Sequence, residues 1–122
     1  MTQLRFRLLS GAIAMIALLL AGAPAAGAYT VQGTEDCPSS RLCRWPESGF
    51  QGRMQVVPSS STVINVSGTY SSLYVNRSGA VRLHSGSNGT GSAVCIRPGR
   101  AVSSLSGWRA SPGSITLLSS GC

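Results

Sequence analysis

Few side chains in this sequence could do chemistry, and their spacing limits what that chemistry is. The three carboxylates, Glu35, Asp36 and Glu47, all precede residue 48. His84 is the only histidine, and no aspartate follows it to orient its ring as a general base. Neither a distant acid/base pair nor a nucleophile–base–acid set can be drawn from this inventory. The serines gather with Gly, Asn and Thr, in the manner of turns and strand edges. The residues argue against an enzyme, and no catalytic residue is assigned.

Four cysteines remain: Cys37, Cys43, Cys95 and Cys122. An even number in a small exported domain reads as two disulfides. Three pairings are open. Cys37 with Cys43, closing a small loop, and Cys95 with Cys122, pinning the C-terminal tail to a strand, is the favoured one. A zinc site would need paired Cys-x-x-Cys knuckles or more than one imidazole. No metal or other cofactor is assigned.

Export is read from the first 28 residues. Arg5 and Arg7 form a basic start, residues 12–21 an uncharged apolar run, and Ala26-Gly27-Ala28 a small-residue cleavage site. That run is short for a membrane span. The expectation is a signal peptide over 1–28 and a single secreted, monomeric domain over 29–122, off the membrane once cleaved. The eight arginines left, at 41, 44, 53, 77, 82, 97, 100 and 109, face three carboxylates, a net charge of +5. They form no run, which argues against a nucleic-acid partner. An acidic polymer or protein surface remains compatible with them.

The element that organises the rest is Cys43–Gly52. Trp45 precedes Phe50 by five residues and Gly52 follows, which suits a hairpin folded back over its own sheet. The aromatics would stack across the bend, and the glycine would take a positive φ. Short strands separated by Gly, Ser, Pro and Asn turns predict an all-β sandwich. Setting Gly52 against Gly91 reveals a second copy. Trp45 then faces His84, Phe50 faces Gly89, Val56-Val57 faces Cys95-Ile96, and Ser72 faces Ser114. The offset grows along the chain, so the second copy carries a longer loop between Pro98 and Pro112. Two tandem Greek keys are expected, over about 43–75 and about 82–118. Ser72 and Ser114 each stand before a final strand, where a hydroxyl can hold the folded hairpin.

An aromatic, a Phe-x-Gly and a later Ser in two tandem copies resemble the βγ-crystallin motif. Cys37-Pro38-Ser39-Ser40-Arg41-Leu42-Cys43-Arg44-Trp45, followed by Phe50-Gln51-Gly52-Arg53, is similar to one branch of it, the small secreted metalloproteinase inhibitors of actinomycetes. The resemblance implies a βγ-crystallin-like sandwich, an inhibitory function and an extracellular metallopeptidase as partner. Cys95-Ile96 is a candidate inhibitory contact, with the loop Ser103–Pro112 and its Trp108 as the alternative. The calcium windows of βγ-crystallins would fall on Ser67–Ser72 and Arg109–Ser114, where the pair of Asn or Asp residues is missing. An alternative function is a cationic cell-wall or chitin-binding, antifungal-type module. It would use Trp108, which the repeat sets opposite Val66, beside Arg100 and Arg109.

Overall fold

The computed structural model describes residues 33–122; the expected leader lies outside the described residues. Eight strands run in the order β1 (Arg41–Trp45), β2 (Gln55–Val57), β3 (Val63–Asn65), β4 (Ser72–Asn76), β5 (Val81–His84), β6 (Ala93–Ile96), β7 (Ala101–Val102) and β8 (Ser114–Leu117). They form two four-stranded antiparallel sheets, ordered β2-β1-β4-β7 and β3-β8-β5-β6. Each half of the chain therefore lends one strand to the other half's sheet: β3 lies beside β8, and β7 beside β4.

Burial explains why these segments are strands. Leu42, Val57, Leu73 and Val75 of the first sheet meet Val81, Leu83, Ile96 and Ile115 of the second in one core. Each such side chain contributes about 1.5–3 kcal/mol when taken out of water. The other face of β1 is buried too. Cys43 and Trp45 pack with Cys37, and Phe50, Met54, Val56 and Tyr74 close over them. The second half has no such outer cluster. Its matching positions carry Arg82, His84, Gly89, Ala93, Cys95 and Thr116.

Each hairpin is held by two hydrogen bonds to one serine hydroxyl. Ser72 donates to Glu47 O at 2.7 Å and accepts from Phe50 N at 3.0 Å. Ser114 donates to Gly86 O at 2.7 Å and accepts from Gly89 N at 2.9 Å. Both hydroxyls are fully buried, so they satisfy backbone groups that water does not reach. Phe50 sits at φ 60°, a conformation costly for a residue with a Cβ. Its ring meets Trp45 edge-on at 5.3 Å, which offsets that cost. The second hairpin has Gly89 there, at φ 74°, and Asn88 before it, at φ 53°, where the first has Gly49; it gives up the aromatic contact and carries its positive-φ side chain one residue earlier. Gly52 must be glycine twice over: its φ is 92°, and a Cβ would lie 2.6 Å from Pro46 Cγ.

The disulfides are Cys37–Cys43 and Cys95–Cys122. One correction concerns Trp108. The backbone bond Val66 N to Gly113 O is matched in the other half by Leu105 N to Ser71 O. Leu105, not Trp108, is thus the counterpart of Val66. The extra residues of the second half fall just after Leu105, and they form the 3-10 turn Gly107–Ala110 that carries Trp108.

Candidate functional site

Where the chain passes from one sheet to the other, between β6 and β7, it makes an exposed turn, Arg97-Pro98-Gly99-Arg100. Arg100 N–H donates to Arg97 O at 3.2 Å. Proline at the second position and Gly99 at φ 79° define a type II turn. Among the described residues, no atom outside its chain neighbours lies within 4 Å of where a Cβ on Gly99 would stand, so the glycine is required by conformation rather than space. The far side of the turn is fastened to β4. Gly99 N–H donates to Val75 O at 2.7 Å, and Val75 N–H to Arg100 O at 3.0 Å. The near side is fastened by the pairing of β6 with β5 and by the disulfide from Cys95 to Cys122. Arg97 and Arg100 are both exposed.

The candidate contact Cys95-Ile96 lies at the root of the turn, within β6. Ile96 is only 8 % exposed and belongs to the main core. Its side chain is therefore not free to enter a partner's cleft, and the accessible part of the region is the turn that follows. The alternative loop is fastened as well: Gly49 N–H donates to Ser103 O at 2.8 Å, and Leu105 N–H to Ser71 O at 2.7 Å. Trp108 packs against the main core, with the Arg109 guanidinium 5.9 Å from its ring centroid. A side chain held in this way does not offer both faces for stacking on a sugar.

His84 is buried, and its Nε2 lies 2.7 Å from Thr116 Oγ1. It closes the outer face of the second sheet at the place where Trp45 stands in the first. The residue that sequence reasoning missed is Arg44. It counted as one of several scattered surface cations, yet it is 3 % exposed. Its Nε donates to Gln55 Oε1, its Nη2 to Ser67 O at 3.1 Å, and its guanidinium lies 3.9 Å over the Tyr70 ring. Desolvation lowers its pKa from the ordinary arginine value. Strand alternation carried the signal: with Cys43 and Trp45 on one face of β1, residue 44 must point to the other.

The model of the peptidase inhibitor family I36 matches residues 30–96, more than half of the sequence. The chain belongs to peptidase inhibitor family I36. Membership in I36 makes it a peptidase inhibitor rather than an enzyme. The matched span takes in the first half and β6, and stops at the residue before the turn. No curated protein matches the chain. Among solved structures it is similar to the N-terminal domain of protein S, with a TM-score of 0.55 at 15 % identity over 67 % of this chain and 99 % of that one. It is also similar to a structure described under the evolution of the eye lens βγ-crystallin domain fold, with a TM-score of 0.54 at 15 % identity over 70 % of this chain and 92 % of that one. These likenesses show that the I36 chain has the βγ-crystallin fold.

The fold raises the question of calcium, and the residues do not fit it. In the first window the Ser67 carbonyl is already taken by the Arg44 guanidinium. The second window begins with Arg109, itself a cation. A hard divalent ion needs several oxygens, preferably charged. Calcium at millimolar concentration is therefore expected to leave the melting temperature where chelator leaves it. A calcium-dependent rise in differential scanning calorimetry would contradict this reading of both windows.

Proposed function

We propose that this chain is exported with loss of residues 1–28, and that residues 29–122 act as a monomeric inhibitor of an extracellular metallopeptidase. The observation that carries the reading is the turn Arg97–Arg100, exposed at its tip and fastened on both sides. A partner that binds such a turn meets it already ordered, so little conformational entropy is lost on association. If a peptidase cut the turn, the new ends would stay in place. Residues up to Ile96 are held by β5 and the disulfide, and Gly99 and Arg100 by Val75. The likeness of residues 37–45 and 50–53 to the small secreted metalloproteinase inhibitors supports the choice of peptidase class. The two disulfides support an oxidising compartment.

Titration of thermolysin-like, serine and cysteine peptidases with the purified protein tests this. Stoichiometric inhibition of the metallopeptidase is expected, weakened about tenfold or more when Arg97 and Arg100 are both changed to alanine. Inhibition of a trypsin-like serine peptidase alone would reassign the turn to an acidic specificity pocket. No inhibition of any class at micromolar concentration would end the reading.

A further inference from the structure

Beside the turn, the sandwich has an open mouth between the edge strands β6 and β7. A groove of about 410 Å³ runs along it. Val94, Ile96, Val102 and Leu105 supply its aliphatic lining, and Arg97, Arg100 and Arg109 line it beside Ser104 and Ser106. No carboxylate lines the groove, and among the described residues none of these three arginines donates a side-chain hydrogen bond within the protein. The repeat provides an internal comparison. At the matching mouth of the first half, Arg44 joins Gln55 of β2 to Ser67, just beyond β3. The residue that matches Arg44 in the second half is Leu83, and the one that matches Gln55 is Val94. Neither can make such a tie, so the two halves differ: one mouth is cross-linked, and the other is open and ringed with positive charge.

We propose that this groove takes an extended acidic segment of the inhibited peptidase, with carboxylates on the three arginines and an apolar side chain against the aliphatic lining. The proposal rests on the inhibitor reading and extends it from the turn to a second contact. Two observations favour a peptide over a polyphosphate or another simple polyanion. The four aliphatic side chains of the lining have nothing to offer phosphate but suit a leucine or valine. Moreover, β6 and β7 are both terminal strands of their sheets. Their outer backbone groups can pair with an added peptide strand. The arginines would give the association its speed and its preference for an acidic partner.

The test is fluorescence anisotropy of a short labelled peptide alternating aspartate with leucine, added to the disulfide-bonded protein at low salt. Saturable binding is expected. It should weaken about tenfold with Arg109→Gln, as for the loss of one charge-assisted contact. Ser104→Glu, which puts a carboxylate into the groove from an exposed position and spares the fold, should do the same. Absence of saturable binding, or unchanged affinity in both variants, overturns the proposal. Displacement of the peptide by polyphosphate at equal charge concentration overturns its peptide specificity. The two readings fail separately. Peptide binding without inhibition of any peptidase removes the inhibitor and leaves the groove. Inhibition that Arg109→Gln and Ser104→Glu leave intact, with no peptide bound, removes the groove alone.

Discussion

Removing the Cys95–Cys122 disulfide is expected to lower the melting temperature by roughly 15–25 °C, more than removing Cys37–Cys43. The bridge joins residues 27 apart in sequence, against 6 for the other. In the chain-entropy model these loops contribute about 3.5 and about 2.2 kcal/mol, and a domain of this size shifts by about 4–8 °C per kcal/mol. Serine suits the first pair, since Cys122 is exposed and Cys95 half-buried. For the second pair alanine is the cleaner choice, because Cys43 and Cys37 lie in an apolar cluster where a hydroxyl would add its own cost. Thermal unfolding followed by circular dichroism compares Cys95→Ser/Cys122→Ser with Cys37→Ala/Cys43→Ala. A larger loss in the second variant would show that packing around Trp45, not loop closure, dominates. The first variant should also inhibit less well, because the turn loses the fastening at its root.

Trp45→Ala is expected to cost about 3–5 kcal/mol, the range for deleting a large buried aromatic. Trp45 has no exposed surface, and it carries both the Phe50 ring and the outer cluster of the first sheet. Without it, the positive φ of Phe50 is no longer offset by the edge-on contact. Trp45→Phe should cost less, because among the described residues the indole Nε1 has no hydrogen-bond partner to lose. His84→Ala, at the matching place in the second half, should cost under about 1.5 kcal/mol, close to the loss of one hydrogen bond. Urea unfolding of the three variants gives the comparison. Equal losses for Trp45→Ala and His84→Ala would mean that the two hairpins carry equal weight, contrary to their packing.

Much of the fold was legible because the hairpin motif is local. Trp45, Phe50 and Gly52 lie within eight residues, and their types answer to a bend that those same residues make. Pairing each hairpin with a distant serine required only that the motif recur. What was not legible depends on contacts between residues distant in sequence. The burial of Arg44 comes from Gln55, Ser67 and Tyr70, which no local pattern joins to it. The match of Trp108 with Val66 failed because an insertion can be placed anywhere along a loop until backbone hydrogen bonds fix it; here they place it after Leu105. Of the three pairings left open by position, the favoured one, with Cys95–Cys122, is the one formed. The burial of Ile96 was visible in outline, since its match with Val57 already put it in a strand. The groove was invisible, because its arginines come from a turn and a 3-10 segment that meet only in the folded state.

The exchange of strands between the halves sets an order in time. As the chain is made, β1, β2 and β4 are complete by Asn76 and already adjacent, so most of the first sheet can assemble early. β3 cannot, because among the described residues its one neighbour in the sheet is β8. The roughly fifty residues that separate them take a ribosome on the order of seconds. During that interval Val63-Ile64-Asn65 is a strand without a sheet, the kind of segment that recruits other chains. It is only three residues long, with Ser59, Ser60 and Ser61 before it and Ser67 after it. Brevity and polar flanks are what keep a waiting strand from pairing with the wrong molecule.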